Sequence, residues 1–175
     1  MTADFLDTPV AASRASRVAR NVALAIGAVS VAALATVWYF QLFLDFKPCP
    51  LCLEQRYAYY AAIPLAALLA FAAARGAPAW LLTVGLALLA LGNAGLGAYH
   101  AGVEWKFWAG PTDCSGPVLD LGKAGSLLEQ LDKVKVVRCD EVQWRFLGLS
   151  FAGYNVLLSL GLAALAGWGI ARIRR

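Results

Sequence analysis

Charge is scarce in this sequence. Of its 175 residues only 15% are Asp, Glu, Lys or Arg, against 61% hydrophobic, and mean hydropathy is +0.64. A water-soluble domain carries roughly a quarter charged residues, and a chain this small still exposes much of its surface. The shortage therefore excludes an ordinary soluble domain, and the apolar surplus excludes disorder. Also missing are an internal repeat, a P-loop, a dinucleotide fingerprint and a zinc-protease motif. A cleavable signal peptide is not expected either. The first 20 residues are polar and contain Arg14, Arg17 and Arg20, and the apolar run behind them is longer than the roughly 7–15 residues of a signal core.

What is present is spacing. Four stretches lack charge altogether: 21–44 (24 residues), 57–74 (18), 76–103 (28) and 146–171 (26). About 20 apolar residues carry a helix across a bilayer. The expected fold is an all-α membrane protein, a four-transmembrane-helix bundle in one integral domain over 1–175. Its spans are set near 21–44, 57–74, 79–100 and 146–171, with outer loops near 45–56 and 101–145. The second run is shortest and contains Pro64; Tyr57, Tyr59 and Tyr60 are expected to anchor it at the interface. Asn93 and Asn155 fall inside spans, where interhelical hydrogen bonds are their usual employment. Gly92, Gly95, Gly97, Gly153 and Gly161 would let helices approach closely. A soluble bundle of buried helices is disfavoured, because no polar faces remain for water.

Parity puts both termini on one side. The segments on that side, 1–20, 75–79 and 171–175, are about twice as dense in Lys and Arg as 41–56 and 100–146, so they are expected in the cytoplasm. The net charge of +4 then reports topology, and no nucleic-acid partner is invoked.

All four cysteines fall outside the spans, on the opposite face: Cys49, Cys52, Cys114 and Cys139. In a bacterium that face is the oxidising periplasm, and an even count favours disulfides. Spacing leaves three readings open. Two static disulfides could brace the loops. Zinc could bind the Cys-x-x-Cys, although a second pair 25 residues apart is not a zinc-ribbon spacing. The third reading is redox catalysis. Cys52 stands where span 2 should begin, near helix N–H groups that favour an anion. Arg56, four residues on, shares its face and leans back toward it. Both would favour thiolate at Cys52. Arg56 can also be read as an interfacial residue that snorkels.

The long outer loop looks organised. Ser126-Leu127-Leu128-Glu129 has capping-box form. Val118, Leu119, Leu121, Leu127, Leu128 and Leu131 suit one or two short amphipathic helices on the membrane, with Trp105, Trp108 and Trp144 at the interface. His100, beside Tyr99, either contacts a ligand or is a solvated interfacial histidine.

These motifs, in this order, resemble the DsbB family of bacterial inner-membrane disulfide-forming proteins. The resemblance rests on Pro48-Cys49-x-x-Cys52-x-x-x-Arg56 after span 1 and on Tyr99 to Glu104 leading to Gly110-Pro111 and Cys114. It rests equally on Cys139-Asp140-Glu141-Val142-Gln143-Trp144 opening the last span. It covers nearly the whole chain; the N-tail and mid-loop match poorly. The resemblance implies a quinone-dependent protein-thiol oxidoreductase that reoxidises a periplasmic, thioredoxin-fold DsbA-like partner, with ubiquinone or menaquinone as cofactor and no metal. It further implies disulfides Cys49–Cys52 and Cys114–Cys139 and a relay from partner to Cys114, Cys139, Cys49 and Cys52. Cys52, Arg56 and His100 would face the quinone. DsbA-like partners are already strong oxidants, near about −120 mV, so a quinone acceptor is needed to draw the reaction forward. Two alternatives stay open: a branch of the same family serving one dedicated partner, and a four-span structural protein with static external disulfides. A vitamin K epoxide reductase-like chain is disfavoured, since there the loop pair precedes the Cys-x-x-Cys.

Overall fold

A computed structural model describes residues 8–77, 79–111 and 137–174, with side chains from Arg14 onward. Four long helices dominate: α1 (Thr8–Phe43), α2 (Pro50–Ala74), α3 (Trp80–Glu104) and α4 (Phe151–Ile173). Each is long and apolar enough to cross a membrane. Their outward faces carry Leu24, Val31, Leu68, Phe71, Leu88 and Leu157, all more than half exposed. A surface of that kind is stable in lipid and costly in water.

α1 packs chiefly on α2, and α3 on α4. The inner faces are small: Ala19, Ala23, Ala62, Ala66, Ala73 and Ala166 surround Val22, Ile26, Leu69 and Leu86. Without a hydrophobic drive between helices in lipid, close backbone approach supplies the attraction. Gly97 is where that approach is tightest among the glycines singled out by the sequence; a Cβ there would sit 2.8 Å from Asn155 Nδ2. Gly92, Gly95 and Gly161 face open space, and Gly153 meets only the Leu149 side chain, so four of the five do not serve helix packing.

Polar residues inside the spans bond to each other. Asn93 Nδ2 donates to Asn155 Oδ1 and to Ser159 Oγ, both at 3.1 Å, and Tyr59 Oη donates to Asn155 Oδ1 at 2.6 Å. Tyr59 is therefore no interfacial anchor. It is 8% exposed, whereas Tyr57 and Tyr60 lie at the surface.

Helix ends depart from the charge gaps for local reasons. α2 begins at Pro50, not near 57. Cys49 caps it, its Sγ accepting the Cys52 N–H, and proline suits the first helical position. α3 runs on to Glu104 and stops at Lys106 in the left-handed region (φ 61°), with Phe107 N–H bonding back to Gly102 O. α4 starts later than expected. Residues 145–150 form a minimal antiparallel pair, β1 (Arg145–Phe146) and β2 (Leu149–Ser150). The two-residue turn between them, Leu147-Gly148, has positive φ at both positions, as a type I′ hairpin requires. Ser150 then caps α4 by accepting the Gly153 N–H. The amphipathic helices expected over 118–131, and Cys114, lie outside the described residues.

Candidate redox site at the end of the bundle

Cys49 and Cys52 are joined as a disulfide at the first turn of α2. Cys49 is 2% exposed; Cys52 is half-buried. Cys139 is 1% exposed and packs in one buried cluster with Cys49, Leu51 and Val103. Several contacts hold its segment there. Gln143 Nε2 donates to Lys47 O at 2.8 Å. The Trp144 ring stacks on Phe151 at 4.7 Å between centroids and meets Phe40 edge-on at 5.5 Å. Beside Cys139, Arg138 forms a two-pronged pair with Asp140 at 2.9 and 2.8 Å. That pair holds the Asp140 carboxyl below, and the Arg138 guanidinium above, the ordinary value. The pairing expected between Cys139 and Cys114 lies outside the described residues, because Cys114 does.

His100 is not a solvated interfacial residue. It is 2% exposed, with Nδ1 2.7 Å from Gln55 Nε2 and Nε2 3.6 Å from Cys49 Sγ. The backbone of Cys139 also hydrogen-bonds to it. Glu104, one turn further on the same face, has Oε1 3.9 Å from His100 Nε2 and accepts the Ser150 hydroxyl at its other oxygen.

Arg56 departs from the sequence expectation in its partner. Its Nη1 donates to Gln41 Oε1 at 2.7 Å, and its guanidinium lies over the Trp38 ring at 5.7 Å. It is bound to α1 and not to Cys52. The helix N–H expected to favour Cys52 is directed at Cys49 Sγ instead, at 3.2 Å.

A cavity of about 690 Å³ opens in front of these groups. Its walls are mainly apolar, with Val37 and Phe40 from α1 and Phe151 and Leu158 from α4; Cys52, Arg56 and His100 are at its edge. The sulfurs of Cys49 and Cys52 and a ring nitrogen of His100 lie within 4.8 Å of one another. Metal ligation by cysteine needs thiolate. Sulfurs bonded to each other offer none.

Sequence reasoning passed over Gln41, Gln55, Glu104 and Ser150. Gln55 and Glu104 each carried a usable signal: a polar side chain at a span end, three residues from Cys52 or four from His100, on the same helical face.

A sequence model described as "Disulfide bond formation protein DsbB" matches residues 19–169. The chain belongs to the DsbB family. Among curated relatives, each named "Disulfide bond formation protein B", that of Verminephrobacter eiseniae is 35% identical over 168 residues, covering 91% of this chain and 92% of the relative. That of an Acidovorax species is 32% identical, covering 83% and 84%. That of Hahella chejuensis is 32% identical, covering 79% and 84%. This DsbB-family chain is thus a multi-pass helical membrane protein with a bonded cysteine pair at one end of its bundle.

Proposed function

We propose that this chain oxidises a DsbA-like periplasmic thiol protein and passes the electrons to a membrane quinone. One observation carries the reading: the Cys49–Cys52 disulfide sits at the edge of a large apolar cavity between α1 and α4 that also presents Arg56. A flat, uncharged, two-electron acceptor with a hydrocarbon tail fits such walls. Arg56, Cys52 and His100 would hold it. A bound quinone supplies the acceptor for two electrons and two protons per disulfide made.

The chain's own steps are thiol exchanges. The partner's thiolate attacks Cys114, breaks a Cys114–Cys139 bond and releases Cys139 as thiolate. Cys139 attacks Cys49, its neighbour in the buried cluster, and Cys52 leaves as thiolate beside the cavity. The partner's second thiol resolves the mixed disulfide and frees Cys114. Cys114 then attacks Cys139, and Cys49 leaves. Cys49 and Cys52 rejoin as two electrons and two protons pass to the acceptor. The denser Lys and Arg on the side of the termini support an orientation with this end toward the periplasm of an inner membrane and both termini cytoplasmic.

The test is anaerobic turnover of the purified protein with reduced DsbA and a short-chain ubiquinone or menaquinone analogue. The reading expects one quinol per partner disulfide formed. Partner oxidation without quinol, or no turnover with either quinone, overturns it. Orientation is checked in spheroplasts: after reduction, a membrane-impermeant thiol reagent should label the cysteines without membrane disruption.

A further inference from the structure

His100 is the chain's one histidine, and its neighbours indicate which of its nitrogens carries the proton. Gln55 Nε2 donates to Leu51 O at 3.2 Å. That contact sets the amide's orientation, since the reverse would press two carbonyl oxygens together. The same nitrogen lies 2.7 Å from His100 Nδ1. An amide nitrogen only donates, so Nδ1 must accept, and a neutral imidazole then has its single N–H on Nε2. That N–H faces Cys49 Sγ at 3.6 Å. Cys49 Sγ also takes the Cys52 N–H at 3.2 Å. Two uncharged donors thus converge on one sulfur.

Two other groups face the ring. Glu104 Oε1 is 3.9 Å from Nε2, beyond hydrogen-bond reach, and its Oε2 is occupied by Ser150. The Cys139 backbone accepts a hydrogen bond from the ring; with Nδ1 turned to Gln55, Cys139 and Cys49 share the one Nε2–H.

We propose that Gln55 is a positioning residue: it holds His100 in the Nε2–H tautomer, so that Nε2–H and the Cys52 N–H together seat a thiolate on Cys49. His100 therefore works as a neutral donor and not as a base. The thiolate arises when Cys114 attacks Cys139. The Cys114–Cys139 bond forms, the Cys49–Cys139 bond breaks, and its electron pair leaves on Cys49. The attacking thiol loses its proton before the attack, so no proton passes to His100. Only the identity of that broken bond rests on the proposed function.

Two measurements decide the proposal. The first is ring-nitrogen NMR of the full-length protein labelled with ¹⁵N-histidine, where a single residue gives the whole signal. Wild type should show a protonated Nε2 and an unprotonated Nδ1; a proton on Nδ1 overturns the proposal, whatever any variant does. In Gln55→Leu the tautomer should no longer be held, and signals of both forms should appear. The second is the pH profile of Cys49 alkylation by iodoacetamide in the reduced protein, made in a Cys52→Ser background and read by peptide mass spectrometry. Its midpoint should rise by about one unit, a tenfold loss of thiolate, in His100→Leu. His100→Gln, which offers an uncharged N–H near the same place, should recover most of that shift. Equal displacement in both His100 variants, or none in either, overturns the donor role. Neither measurement involves quinone or partner, so a failure of quinone reduction bears on the proposed function alone.

Discussion

The middle of the bundle and its cysteine-bearing end use similar side chains differently. In the middle, Asn93, Asn155, Ser159 and Tyr59 bond to one another across α2, α3 and α4. Every partner there is on a fixed helix. At the end, His100, itself held by Gln55, and the Cys52 N–H converge on Cys49, one half of the disulfide. A polar group in a membrane helix is costly unless partnered. The first cluster meets most of that cost by bonding within itself, with Asn93 Oδ1 left unpartnered. The second meets it by aiming at sulfur, which ties the polar groups to the disulfide.

The largest effect expected from that contrast is at the end. Cys52→Ser should abolish quinone-coupled oxidation of a thiol partner while leaving helix content unchanged, as read by circular dichroism. Residual quinol formation above a heat-inactivated control would remove Cys52 from the route. Next, Cys139→Ser should accumulate a lasting mixed disulfide between Cys114 and the partner. Cys114→Ser should instead favour a Cys49–Cys139 cross-link, because those two cysteines share a buried cluster. Non-reducing electrophoresis with mass spectrometry of the adducts separates the two patterns, and equal trapping by both variants would break the division of labour.

Arg56→Met should act more mildly. It removes the charge at the cavity edge and the bond to Gln41. A charge-assisted bond of about 1.5–3 kcal/mol corresponds to roughly a tenfold to hundredfold rise in KM for quinone. Thiol exchange with the partner should continue. Unchanged quinone kinetics would make Arg56 a purely structural tie to α1.

The middle of the bundle should respond in the opposite sense. Asn93→Leu should lower stability by about 1–2 kcal/mol, since it removes the Nδ2 donor to Asn155 Oδ1 and Ser159 Oγ on α4. Activity per folded molecule should hold. A loss of activity larger than the loss of folded protein would mean that the two regions are coupled.

The spans were legible because absence of charge is a strong signal over 18 or more residues. Their ends were not. A charge gap stops at Glu54 and Arg56, yet α2 continues through both to Pro50, because Arg56 finds Gln41 and Trp38 on α1. Such a partner is distant in sequence. The cysteines were legible by type alone. Gln55 and Glu104 were not, since a side chain of ordinary polarity gains meaning only from what it faces across the bundle. The burial of Tyr59 escaped for the same reason: its partner Asn155 is 96 residues away.

The smallest expected effect belongs to the exposed pair beside Cys139. Arg138 lowers the pKa of Asp140. A carboxyl whose folded pKa lies below its unfolded value stabilises the fold above the ordinary carboxylate range, and that contribution is lost as pH falls through the folded value. Both groups meet solvent, where salt screens them. Asp140→Asn should therefore leave the thermal midpoint unchanged between about pH 5 and 8. A clear fall across that range would show that the pair anchors the Cys139 segment.

The hydrogen bond from Gln143 to the Lys47 carbonyl sets a kinetic order. It fastens a point four residues past Cys139 to a point two residues before Cys49. Cys139 thus meets Cys49 at a local concentration on the order of millimolar or above. In the proposed relay the exchange between them would be unimolecular, so its rate would not depend on how densely the protein is packed in the bilayer. A small thiol in the surrounding fluid would have to exceed that local concentration to intercept the proposed relay.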